Sequence, residues 1–91
     1  MLKPIFLRQF EKDLAKAIKR NKDIDKLKNI ITIICEEQVL SAKNRNHKLR
    51  GEYNGYWECH IEHDWLLIYK SDDQLKLLRL ARTGSHSELF Q

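Results

Sequence analysis

Tyr56-Trp57-Glu58-Cys59-His60-Ile61-Glu62-His63-Asp64-Trp65 alternates polar and apolar side chains over its first seven residues. In an extended strand, successive side chains point to opposite faces. Trp57, Cys59 and Ile61 then form one apolar face, and Tyr56, Glu58, His60 and Glu62 form a polar one. Such a strand needs a core on one side only. The other side carries a histidine between carboxylates. Asp64 and Trp65 follow where the chain must turn.

Three strands are predicted, at residues 53–62, 65–71 and 74–82. His63-Asp64 is short enough for a hairpin, and Ser71-Asp72-Asp73 marks a second one. Asn54-Gly55 reads either as a hairpin turn or as a bulge. Residues 75–82 are apolar on much of both faces, which places that strand inside the sheet. Thr83-Gly84-Ser85 ends it, and residues 85–90 form a capped turn or a last strand. Upstream the period changes. Leu7, Phe10, Leu14, Ala17 and Ile18 recur at three- and four-residue steps, with Arg8, Lys12, Lys16, Lys19 and Arg20 off that stripe. A second helix from Asp23, its N-cap, to about residue 37 buries Ile24, Leu27, Ile30, Ile31 and Ile34. The short link between the two predicts a helical hairpin. Residues 1–5 are β-like, and Pro4 confines them to a sheet edge. Helices first and strands after give an α+β sheet with helices on one face.

A chain of 91 residues is a single domain, 1–91, with a small core. Its 42 % hydrophobic and 33 % charged residues fit a globular protein and argue against disorder. No apolar run approaches the roughly 20 residues that span a bilayer. The N-terminus lacks the pattern of a secretory signal. The expected compartment is the cytoplasm, and Cys35 and Cys59 are expected there as buried, reduced thiols.

The net charge of +4 is unevenly placed. Residues 1–50 hold 13 Lys and Arg against 6 Asp and Glu, whereas residues 51–91 hold 4 against 7. The basic half includes the cluster Lys43, Arg45, His47, Lys48 and Arg50 in an irregular segment. It suits a polyanion or an acidic protein partner, although a solvated lysine-rich helix face would give the same count.

Four histidines are present: His47, His60, His63 and His86. Imidazole gives or takes a proton near neutral pH. Cleaving RNA without a metal needs such groups. One deprotonates the ribose 2′-OH, another protonates the departing 5′-oxygen, and a cation offsets the phosphate charge. His47, His60, Asp64 and His86 supply acids and bases, and Lys48, Arg50, Arg79 and Arg82 supply cations. His60-x-x-His63 with Asp64 or His86 is the rival, a metal site. Residues three apart on a strand face opposite ways, however, so no metal is expected. Trp65, Tyr56 and Phe90 suit either base stacking or a small core, while Trp57, Tyr69 and Phe10 are assigned to the core.

Together, His47-Lys48-Leu49-Arg50-Gly51, Gly55 through Lys70, and Arg82-Thr83-Gly84-Ser85-His86-Ser87-Glu88-Leu89-Phe90 resemble the YafQ branch of the RelE/ParE toxin superfamily. The likeness covers nearly the whole chain. It implies a bacterial type II toxin that enters the ribosomal A site of the 70S ribosome and cuts translated mRNA. It also implies a cognate antitoxin bound in a hetero-oligomer, no cofactor, and helices against a twisted antiparallel β-sheet. Matched to the family pattern, His47, His60, Asp64 and His86 are catalytic. His86 is the general acid, His47 or Asp64 the general base, and His60 an orienting group. Arg82 would hold the phosphate, and Trp65 and Phe90 would position the substrate; Lys48 and Arg50 are expected to contact RNA on their charge alone. The family usually has proline where this chain has His63, so the turn loses a fixed φ and gains a titratable group. The alternatives are a ParE-like toxin or binding module that inhibits a topoisomerase, which generally lacks this histidine set, and a ribosome-independent RNase.

Overall fold

In the computed structural model, which describes residues 1–90, the chain forms one five-stranded sheet with helices on both faces. The elements are β1 (Lys3–Phe6), α1 (Arg8–Lys19), α2 (Ile24–Cys35), β2 (His47–Lys48), β3 (Trp57–Glu62), β4 (Trp65–Asp72), β5 (Leu77–Gly84) and α3 (His86–Leu89). Single 3-10 turns lie at Ala42–Asn44 and Gly51–Tyr53. The strand order is β1-β5-β4-β3-β2. β2, β3, β4 and β5 pair antiparallel, but β1 pairs with β5 in parallel, from Lys3 opposite Leu77 to Phe6 opposite Leu80. The expected antiparallel sheet is therefore mixed. β1 lies at an edge, where the missing N–H of Pro4 is tolerated, and β5 is interior.

Both long helices end on a left-handed residue. Asn21 and Glu37 have φ of 58° and 59°. The next amides, Lys22 and Gln38, reach back to the carbonyls of Ala17 and Ile33. This closure turns the chain within four residues and starts α2 at Ile24. Asp23 stands at the N-cap position, but its side chain makes no capping bond. Asn54-Gly55 is neither a two-residue hairpin nor a bulge. Tyr56 N–H donates to the Tyr53 carbonyl, with Gly55 at φ 93°, so the pair forms a type II turn inside the β2–β3 connection. Strand β3 accordingly starts later than expected, and β5 spans 77–84 rather than 74–82.

The main core lies between α1, α2 and one sheet face. It joins Phe10, Leu27, Ile30, Ile34, Cys59, Ile61, Trp65, Leu67, Tyr69, Leu78 and Leu80. Trp57 packs against it, half-buried. Burial pushes the Cys59 thiol up to about 12, and it also raises Cys35. A smaller cluster covers the opposite face, where Leu66, Ile68 and Ala81 meet Leu89 of α3. Tyr53 and Tyr56 pack on it. That second contact places α3, and His86 with it, on the polar side of β3.

Two irregularities aim side chains. Between His60 and Glu62 the β3–β4 register shifts, leaving Ile61 unmatched. Glu62 therefore pairs with Trp65 on the helix-covered face and reaches Lys26 at 3.0 Å and Lys22 at 3.6 Å. It does not share a face with His60 as strict alternation requires. Between Ile68 and Tyr69 a second shift leaves Ala81 unmatched. No helix among the described residues is long and apolar enough to cross a membrane.

Candidate active site

His60 and Glu58 point from β3 toward α3, beside Leu66 and Ile68 of β4, with which they pair. Strand β2 adds His47 directly opposite Glu58. Glu58 is the hub. It is only 4 % exposed, and its Oε1 lies 3.4 Å from Nε2 of His47 and 3.8 Å from Nε2 of His60. A buried carboxylate survives only with such partners. The His60 and His86 rings lie 5.5 Å apart, centroid to centroid. All four residues line one open groove of about 1080 Å³, which Lys26, Lys43, Asn44, Arg45, Glu62, His63 and Asp64 also border. Imidazoles from three chain segments thus meet over one opening.

Hydrogen bonds fix two of the rings. Nδ1 of His86 lies 2.9 Å from Oδ1 of Asp64, and the same oxygen accepts the His86 backbone N–H at 3.0 Å. A carboxylate only accepts, so Nδ1 carries the proton and Nε2 is left to face away from Asp64. These donations, with the backbone one first, hold the Asp64 carboxyl below its usual range. Nδ1 of His47 lies 2.8 Å from the Arg45 carbonyl, which again only accepts. Its Nε2 therefore faces Glu58.

The ends of two strands are covered by side chains. β2 begins only at His47, opposite Glu58, so the outer edge of β3 beside His60 needs another partner. Buried Asn44 supplies it by donating to the His60 carbonyl at 2.8 Å, while the Ser41 hydroxyl donates to Asn44. Likewise β1 stops opposite Leu80, and Asp13 of α1 accepts the Thr83 N–H at 3.1 Å. Asp13 also takes Nε of Arg82 at 2.7 Å.

Several residues expected to contact RNA sit away from this groove. Trp65 is 1 % exposed in the main core, under Lys22, and offers no face to a base. Its position opposite Glu62, on the helix side of the sheet, is the cause. Lys48 pairs with Trp57 and sits 5.6 Å over that ring, on the face away from the histidines. Arg50 is exposed ahead of a 3-10 turn and does not line the groove. Arg82 is tied to Asp13, which raises its pKa, and it lines a separate cavity of about 530 Å³ beside α1. Phe90 is 43 % exposed, and its ring stands at 79° to that of Tyr53, 5.8 Å away. Asp64 accepts both the backbone and the ring N–H of His86. Sequence reasoning missed Glu58, Asn44 and Asp13 as site-building residues. Only Glu58 had a signal, its place two residues before His60 on the polar face.

Glu58, His60 and His86 each offer a ligand atom within 4.8 Å of the others. Ligands about 2.1 Å from a tetrahedral ion stand roughly 3.4 Å apart, so these side chains could close on a transition metal with a small movement. This set differs from the His60-x-x-His63 pair, which the strand turn separates.

Residues 2–91 match the family model described as "Bacterial toxin of type II toxin-antitoxin system, YafQ". The mRNA interferase toxin YafQ of Escherichia coli K12 is 46% identical over 83 residues, 90% of this chain and 88% of that one. A chain in the crystal structure of the E. coli DinJ-YafQ complex is 42% identical, with a TM-score of 0.89 over the whole of both chains. A metal-bound toxin from Helicobacter pylori is 38% identical, with a TM-score of 0.93 over 99% of this chain and 100% of that one.

Proposed function

Because this chain belongs to the YafQ family of bacterial type II toxins, we propose that it is a ribosome-dependent endoribonuclease. In this reading it enters the ribosomal A site, cuts the translated mRNA and stops protein synthesis. Its E. coli relative is named an mRNA interferase. The single observation that carries the reading is the meeting of His47, His60 and His86 around Glu58.

The chemistry proposed is transfer of phosphorus from O5′ to O2′. His47 Nε2 takes the proton from the 2′-OH as the O2′–P bond forms. The imidazolium that results faces Glu58, which stabilises it. The P–O5′ bond breaks, and His86, starting protonated, gives its Nε2 proton to the leaving oxygen. Asp64 keeps His86 in the right tautomer, as the carboxylate does in a hydrolase triad. His60, only 15% exposed, shares Glu58 and orients the other two rings. A 2′,3′-cyclic phosphate and a 5′-OH would result. Neutralisation is assigned to a cognate antitoxin in a hetero-oligomer, as the E. coli relative forms with DinJ.

His86→Ala and His60→Ala, assayed in a translating extract, test the reading. Each is expected to lower mRNA cleavage by about a hundredfold or more, and wild-type rates in both would refute it. Naked RNA in parallel separates the ribosome-independent alternative.

A second reading concerns metal, because Glu58, His60 and His86 are spaced to take one and an H. pylori relative is metal-bound. A divalent transition ion there would occupy His86, the proton donor, and the Glu58 carboxylate that faces His47. It would inhibit rather than assist. Chelator should leave cleavage intact and added Zn²⁺ or Cu²⁺ should suppress it; loss of activity in chelator would reverse this assignment.

A further inference from the structure

The cations expected to meet RNA do not reach the histidines. Lys48 is on the other face, Arg50 is outside the groove, and Arg82 is held by Asp13. Yet phosphoryl transfer concentrates negative charge on the non-bridging oxygens, and a site without a cation there would stabilise it poorly. Three basic side chains line the groove: Lys26, Lys43 and Arg45. Lys26 is spent on Glu62 at 3.0 Å. Lys43 and Arg45 have no carboxylate partner among the described residues. We propose that Lys43 and Arg45 form the phosphodiester-binding subsite of this groove, holding the single-stranded RNA phosphate that the 2′-OH attacks while the histidines move the protons. This rests on the ribonuclease reading above and names the residues that bind its substrate.

The turn that carries the two cations is built, not loose. Arg45 sits at φ 46°, a left-handed conformation that a side chain this bulky adopts only when held. Its backbone N–H donates to Ala42, and its carbonyl accepts Nδ1 of His47. Asn44 is buried and grips the His60 carbonyl. Asn46 accepts the buried Tyr69 hydroxyl. One turn therefore fixes two catalytic imidazoles and presents two free cations to the same opening. A phosphate bound by Lys43 and Arg45 would be placed relative to His47 and His60 by the same hydrogen bonds. A lysine-rich solvated surface would need none of these anchors.

Single-turnover cleavage on mRNA-programmed ribosomes at saturating toxin tests the assignment, with wild type, Lys43→Gln, Arg45→Gln, the double variant and Lys28→Gln on the exposed side of α2. Each single change is expected to lower the rate about ten- to a hundredfold and the double about a hundred- to a thousandfold, the range of lost oxyanion donors. Lys28→Gln should match wild type. Lys43→Arg and Arg45→Lys should recover most of the activity, which a purely structural role for the turn would not predict. Imidazole NMR signals of His47 and His60 in the Gln variants should stay in place, showing an intact turn. A double variant with an intact turn that cuts at the wild-type rate overturns the proposal, as does a loss that the charge-conserving variants fail to recover. Wild-type protein that cuts no mRNA would sink the ribonuclease reading itself and this subsite with it.

Discussion

Glu88 fastens the helix that carries His86, and removing its charge should loosen that helix in a pH-dependent way. Its Oε2 lies 2.8 Å from Lys16 and 2.9 Å from Arg20 of the α1 end, while Oε1 accepts the Ser85 N–H at 2.9 Å. Ser85 answers by accepting the Glu88 N–H, which completes a capping box. Lys16 first, then the Ser85 amide and Arg20, hold the Glu88 carboxyl at about 2 against an ordinary 4.5. A displacement of that size corresponds to about 3 kcal/mol at neutral pH. Lys16 and Arg20 are 57% and 52% exposed, so water and salt screen the attraction. About 1–2 kcal/mol is the expected share. Glu88→Gln removes the charge but leaves an amide that can still serve the capping box. The folded pKa lies below the unfolded one. The stabilisation is therefore complete above about 4.5 and vanishes as pH falls toward 2. Thermal unfolding followed by circular dichroism should place the variant about 5–10 °C below wild type at neutral pH. The two curves should converge as the medium is acidified through that window. Equal stability at neutral pH, or a gap that persists unchanged at pH near 2, would refute the reasoning.

Three further expectations follow from the same contacts. Asp64→Asn keeps the size of the side chain but destroys the fixed proton position on His86, so cleavage should fall about ten- to a hundredfold with little change in thermal stability; an unaltered rate would show that His86 needs no orienting carboxylate. Trp65→Phe should cost about 1–2 kcal/mol in urea unfolding, for lost packing only, because Nε1 has no hydrogen-bond partner in the structure. The folded variant should still cut mRNA near the wild-type rate, whereas a lost rate at unchanged stability would return Trp65 to substrate contact. Arg82→Gln leaves Asp13, 9% exposed, without a cation and with only the neutral Thr83 amide and Gln9 side chain to bind. It should destabilise by about 2–4 kcal/mol, and Asp13→Asn in the same chain should recover part of that loss, as a double-mutant cycle would measure.

Local pattern carried much of the architecture. Three- and four-residue spacing from Leu7 to Ile18 is a property of one helix, and alternation from Trp57 to Ile61 is a property of one strand. Both match α1 and β3 within a residue or two, apart from the early start given to the strand. The polar face named in advance does hold Glu58 and His60, and His86 comes to it. The parallel partnership of β1 with β5 was not legible. It joins residues more than 70 positions apart, and nothing in Lys3-Pro4-Ile5-Phe6 states a direction. Nor was Asp13 legible as the partner of Arg82, since a carboxylate on the polar stripe of a helix looks like any solvated one.

The sequence by itself determined which residue types were available for proton transfer, that β3 would bury one face, and that two amphipathic helices would cover it. Those are consequences of side-chain chemistry and backbone period, which act over a few residues. Tertiary structure alone decided which charges line the groove. A one-residue bulge at Ile61 turns Glu62 from the histidines to the helices, and the pairing of Lys48 with Trp57 sends that cation to the far face. Because β2 begins only at His47, the β3 edge beside His60 is open and Asn44 fills it, which brings Lys43 and Arg45 to the groove while Arg82 lines another cavity. Side-chain direction in a sheet reverses with every residue of register. A single unmatched position therefore redistributes the electrostatics of the whole site, and register is fixed by contacts between distant parts of the chain.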